Sequence, residues 1–207
     1  MATSNSSTTK STKHASFTVP GLSLKDGRKV GDTLQMRLHA LNDLQLTLKH
    51  AHWNVVGREF IGVHEMLDPQ IELVRAYADD VAERMAALGV APNGLPGALV
   101  AARSWDDYSI DRAGADEHLA ALDVVYTGVI ESHRKAIEEF DSLDLVSQDM
   151  LIGQVHELEK FQWFLRAHLE NGDGTLDDAG ATSETAAAAK IRQADKTGKA
   201  QDKTSKK

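Results

Sequence analysis

Apolar residues recur at intervals of three and four through most of the chain, and strict alternation is scarce. That period predicts α-helices and few strands. A first long helix is expected over 32–56, ended by Gly57, and a second over 60–88, stopping at "GVAPNGLPG". The stretch from there through "SWDDYSIDRAG" reads as a long connection with a short helix at 97–103. A third long helix is expected over 115–139. "DSLDLVSQD" reads as a turn, with Ser147 as the cap of a fourth helix reaching about 170, where "NGDGT" ends it. The pattern is all-α: four long helices with one long crossover between the second and third.

The first helix is apolar on more than one side. At roughly 100° per residue, Leu34, Leu38, Leu41 and Leu48 form one stripe, while Met36, Leu46 and Trp53 lie elsewhere. A monomeric surface helix needs one stripe. Two apolar sides imply two packing partners, so an oligomer is expected.

Composition narrows the chemistry. The chain has 207 residues, enough for one domain with appendages, and no cysteine. Disulfides, thiolate metal sites and thiol catalysis are excluded. Any metal site must use His, Asp and Glu, a donor set that suits iron, manganese or zinc. No signal-peptide core and no long apolar run is present, so a cytoplasmic protein without membrane contact is expected. The net charge of −8 is uneven. Residues 190–207 carry +5 and residues 1–16 carry +2, which leaves about −15 for the body. An acidic body repels nucleic acid, so DNA contact would have to come from the ends. Residues 1–15 are Ser/Thr/Lys-rich and read as disordered, 16–170 as the folded domain, and 171–207 as a mobile tail in which "ETAAAAKIRQ" forms at most a short helix that buries little.

Polar residues interrupt the apolar pattern of the second helix at informative spacings. With His64 at zero, Asp68, Asp79 and Glu83 lie at roughly 40°, 60° and 100° around the axis. His64 with Asp68, and Asp79 with Glu83, are i, i+4 pairs that could each meet one metal ion. The two pairs are roughly 16 Å apart along the axis and cannot share an ion within one chain. A two-fold axis relating antiparallel copies would set one pair against the other, twice. His52, just before the Gly57 turn, could fold back to the His64 end. Each of two sites would then hold His52, His64 and Asp68 from one subunit and Asp79 and Glu83 from the other. The plainer alternative is packed or surface histidines beside a solvated acidic face. A metal site inside one bundle would need Glu-x-x-His, and no Glu here is followed three residues later by His.

The stretch 52–84, "HWNVVGREFIGVHEMLDPQIELVRAYADDVAER", closely resembles the Dps family, DNA-binding proteins from starved cells, of the mycobacterial type with a Lys-rich C-terminal tail. The shared pattern is His-Trp-Asn, a Gly four residues after the Trp, His-Glu-x-x-Asp, and Asp-x-x-x-Glu-Arg. Weaker similarity covers about 25–170, including "RKAIEEF" and "KFQWFL". The resemblance implies a ferritin-like four-helix subunit, a hollow homododecamer, and ferroxidase centres at the two-fold interfaces. His52, His64, Asp68, Asp79 and Glu83 match the family's iron ligands without substitution. Asp79 and Glu83 would be the main anchors, and Asp68 would reach the metal through water. Trp53 matches a tryptophan beside the centre that intercepts stray oxidising equivalents; it also reads as interface packing. Two Fe(II) per centre would be oxidised, preferably by hydrogen peroxide, and the product stored inside as ferric oxyhydroxide.

Two further features belong to the same picture. Glu138, Asp141, Asp144 and Asp149 are candidates for an acidic three-fold pore, or plain solvated loop residues. Lys190, Arg192, Lys196, Lys199, Lys203, Lys206 and Lys207 are candidates for sequence-independent, phosphate-directed contacts with double-stranded DNA, as the family's Lys-rich tails imply, and so for nucleoid association. A DNA-compacting protein without iron chemistry, and a helical oligomer with structural histidines, are the competing readings.

Overall fold

The computed structural model describes residues 13–205, apart from the side chains of Asp195 and of residues 197–205. Six helices order as α1 (Leu24–Asn54), α2 (Phe60–Ala87), α3 (Pro96–Ala102), α4 (Ala115–Phe140), α5 (Leu145–Leu169) and α6 (Glu184–Ser205). The four long helices are those expected, and the short helix falls in the crossover. α1 packs chiefly on α2, and α4 on α5.

α1 begins earlier than its pattern suggests. Ser23 caps it, its Oγ accepting from the Asp26 N–H at 3.1 Å and donating to the Asp26 carboxylate at 2.6 Å. Gly27 and Gly31 look like helix breakers but serve close packing. A Cβ on Gly31 would meet Val90 Cγ2 at 2.5 Å, and one on Gly27 would meet Thr18 Oγ1 at 2.5 Å. α5 also starts differently. Asp144, not Ser147, is its cap, accepting from the N–H groups of Val146 and Ser147. Arg84 holds the same carboxylate at 2.5 Å.

A two-residue parallel pairing, β1 (Val55–Val56) with β2 (Ala113–Gly114), pins the end of the crossover beside the end of α1. This pairing was not expected from the sequence. Leu34, Leu41, Leu48, Leu67, Leu119, Leu122 and Leu158 are among the fully buried core residues. Each contributes about 1.5–3 kcal/mol relative to an exposed position. Within the core Tyr126 donates to Gln70 Oε1 at 2.7 Å, and Gln162 donates to Asp123 Oδ1 at 2.8 Å.

The segment after α5 buries more than its composition suggests. Ala187, Ala188 and Ile191 are buried, with Ala188 packed beside Ile110 and Ala121. The Glu184 carboxylate accepts from the Ser109 N–H at 2.7 Å and the Ser109 hydroxyl at 2.8 Å. Arg192 lies 3.1 Å from Glu117. Single alanines carry little hydrophobicity, but two on one face let α6 approach α4 closely. No helix among the described residues is long and apolar enough to cross a membrane.

Candidate metal centre

The end of α1 and the first turns of α2 bring His52, His64 and Asp68 together. The Gly57 turn, with φ at 109°, reverses the chain between them. The two imidazoles stack with ring centroids 3.6 Å apart. Each ring fixes the other's position through backbone. His52 Nδ1 donates to the His64 carbonyl and His64 Nδ1 donates to the His52 carbonyl, both at 2.9 Å. A carbonyl only accepts, so Nδ1 carries the proton in both rings. Nε2 is then the nitrogen with a lone pair, the arrangement expected of ligating histidines. Phe60 flanks His64 with centroids 5.0 Å apart.

Asp68 approaches the His52 ring at Nδ1. Its Oδ1 is 3.4 Å from His52 Nδ1 and 2.9 Å from Lys49 Nζ. The hydrogen bond from Lys49 leads the effects that hold this carboxyl below the usual Asp range, with the His52 and His64 rings adding to it. Lys49 is the residue that sequence reasoning missed. It lies one turn before His52 on the same helix, and that spacing was the available signal.

Asp79 and Glu83 are exposed on α2, further along the same helix. They stand about 16 Å or more along the axis from Asp68. Among the described residues, no three His, Asp or Glu side chains of one chain converge to hold a metal ion. Trp53, next to His52, is 70% exposed, and Leu46 on the same helix is 60% exposed. Both had been placed off the buried stripe of α1.

Residues 31–175 match the family model Ferritin, the ferritin-like domain. The chain is 61% identical over 178 residues to the DNA protection during starvation protein of Mycolicibacterium smegmatis, which covers 86% of this chain and 97% of that one. The chain belongs to the Dps family. Among solved structures it is similar to Mycobacterium smegmatis Dps, with a TM-score of 0.80 at 62% identity over 81% of this chain and 96% of that one. It is also similar to DpsA14 from Streptomyces coelicolor, with a TM-score of 0.78 at 59% identity over 80% and 99% of the two chains.

Within this Dps chain the other candidate residues divide. Asp144 caps α5 and pairs with Arg84. Glu138, Asp141 and Asp149 are exposed. In the basic segment, Lys190 Nζ donates to the Ala179 carbonyl and Arg192 pairs with Glu117, so both hold the root of α6. Lys196 is exposed. The side chains of Lys199 and Lys203, and all of Lys206 and Lys207, lie outside the described residues.

Proposed function

We propose that this Dps chain assembles into a hollow dodecamer that takes up Fe(II) as substrate, oxidises it preferably with hydrogen peroxide, and stores ferric oxyhydroxide inside. The ferroxidase centre lies across a two-fold interface, with His52, His64 and Asp68 from one subunit and Asp79 and Glu83 from its partner. Two Fe(II) ions bind at each centre. The observation that carries this reading is the reciprocal Nδ1-to-carbonyl pair of His52 and His64, which leaves the Nε2 lone pair of each stacked ring free for a metal.

The residues have distinct tasks. The exposed carboxylates of Asp79 and Glu83 supply hard, anionic oxygen donors suited to Fe(II). The two imidazoles complete a weak site that iron can enter and leave. Asp68 lies against His52 Nδ1 and adds negative charge to the centre. Two Fe(II) together deliver both electrons that reduce peroxide to water, so no hydroxyl radical is released. The acidic body draws cations toward the shell, and Glu138, Asp141, Asp144 and Asp149 are the candidates for a pore. Trp53, beside His52 and open to solvent, is placed to meet the partner subunit and to intercept stray oxidising equivalents.

The second part of the proposal is protection of DNA. Lys196, Lys199, Lys203, Lys206 and Lys207 contact phosphates without sequence preference, and twelve arms on one shell add avidity. The protein would then be cytoplasmic and nucleoid-associated.

The experiment is Fe(II) oxidation by peroxide, followed optically, for wild type and Glu83→Ala at matched assembly state. A sharp loss of rate in the variant is expected. Equal rates would remove the ferroxidase reading and leave DNA coating as the function.

A further inference from the structure

A second site lies away from the histidine pair. Between α1 and α4, roofed by the crossover at 104–109 and by residues 182–185, is a cleft of about 650 Å³. That volume suits a small organic ligand, and the cleft pairs an apolar wall with a polar roof and rim. Its apolar wall is built from Met36, Ala40 and Leu44 of α1 and Val124, Val125 and Val129 of α4. Gly128 opens the wall further, since a Cβ there would meet no atom within 4 Å.

One end of the cleft carries a buried cation. Arg37 is only 8% exposed, and among the described residues no carboxylate pairs with it. Its Nη1 donates to Ser132 Oγ, which in turn donates to the Val129 carbonyl at 2.8 Å. Its Nε is buried with no partner. Burial lowers the pKa of Arg37 to about 10, so it remains protonated at neutral pH. A buried unpaired charge is unfavourable and favours an anion that completes it. His133, close enough for Arg37 to depress it further, is held neutral and supplies no second cation.

The opposite rim is acidic, with Asp43, Asp106, Asp107 and Glu184 all lining it and Asp107 paired with Arg103. Asp43 accepts from Trp105 Nε1 at 2.7 Å and pairs with Arg103, and Glu184 closes the roof through Ser109. One cation facing an acidic rim disfavours polyanions such as nucleotides and favours a singly charged head on an apolar body. We propose that the cleft binds a small apolar monocarboxylate, with its carboxylate at Arg37 and its hydrocarbon body along α4 from Val129 to Val124.

The test is calorimetric titration of the full-length assembled protein with octanoate, alongside octanol and octyltrimethylammonium. One octanoate per chain is expected. Arg37→Gln should weaken it at least about tenfold, the loss that follows removal of a charge-assisted bond, while leaving octanol unchanged. Gly128→Leu fills the cleft without straining the helix and should abolish binding of both. It also keeps the test decisive where Arg37→Gln does not fold. The proposal is overturned by octanoate binding that survives both substitutions, by octyltrimethylammonium binding as tightly as octanoate, or by no binding. Octanoate binding that appears only after removal of residues 1–12 would also overturn it, by showing that the chain's own N-terminus occupies the cleft.

Discussion

Lys49 holds Asp68 through a 2.9 Å ion pair beside the stacked histidines. A cation in that position competes with iron for the carboxylate and repels incoming Fe(II). Lys49→Gln should therefore tighten Fe(II) binding at the candidate centre. The pair is half exposed, so its competition is worth under about 1 kcal/mol, or a gain of about threefold to fivefold. Anaerobic Fe(II) titration measures this. Unchanged or weaker binding would mean that Asp68 does not face the metal's environment at all.

A shared centre predicts complementation between defective chains. His52→Ala and Glu83→Ala each remove one half of every site in a pure assembly. At an interface joining one chain of each kind, one of the two sites receives His52 and Glu83 both intact. Random co-assembly makes half of the interfaces mixed, so about a quarter of the sites recover. Ferroxidase rate in co-refolded mixtures is the readout. Mixtures no faster than either parent would sink the inter-subunit arrangement.

The candidate centre was legible in part. The i, i+4 spacings on one helix and the Gly57 turn were enough to bring His52 to His64, because a helix and a tight turn are local geometry. The ion pair of Asp68 with Lys49 was not read; the spacing of Lys49 and His52 puts them on one face of α1, but the pair itself crosses to α2. The same distinction explains the elements. The long helices were read to within a few residues at most ends, since their apolar stripes repeat. α1 starts about two turns before the expected position, because Gly27 and Gly31 fit inside the helix where Thr18 and Val90 leave no room for a Cβ. Docking of α6 rests on Ala188 finding Ile110 and Ala121, and on Ala187 and Ile191 joining the main core, a long-range fit with little hydropathy signal.

Acid stability should depend on a residue far from the iron chemistry. His133 is fully buried, and burial, reinforced by the charge of Arg37, lowers its pKa from 6.5 to about 4. Between those values the unfolded chain binds a proton that the folded chain does not. The contribution is therefore complete above about pH 6.5 and is lost as the pH falls toward 4, a change of about 3 kcal/mol. His133→Gln should shift the acid-unfolding midpoint, followed by circular dichroism, to lower pH. A midpoint that stays put would show that other groups govern acid unfolding.

The basic segment should divide into a root and an arm. Truncation after Gln193 removes Lys196, Lys199, Lys203, Lys206 and Lys207 and leaves Lys190 and Arg192 in their docked contacts. Loss of the gel shift with iron oxidation retained is expected. Lys190→Gln with Arg192→Gln should keep most of the shift and of its steep dependence on salt. The reverse pattern would assign DNA contact to the root.

The docked root also bears on how genetic data from this protein would read. Ala121 is fully buried in α4, facing Ala188 of α6. A larger residue there would overfill the seam and push the arm off its seat. If the arms coat DNA, a screen for strains that fail to condense their chromosome would return Ala121 alongside the lysines. A map of such hits would point to a buried seam between α4 and α6 as well as to the basic residues.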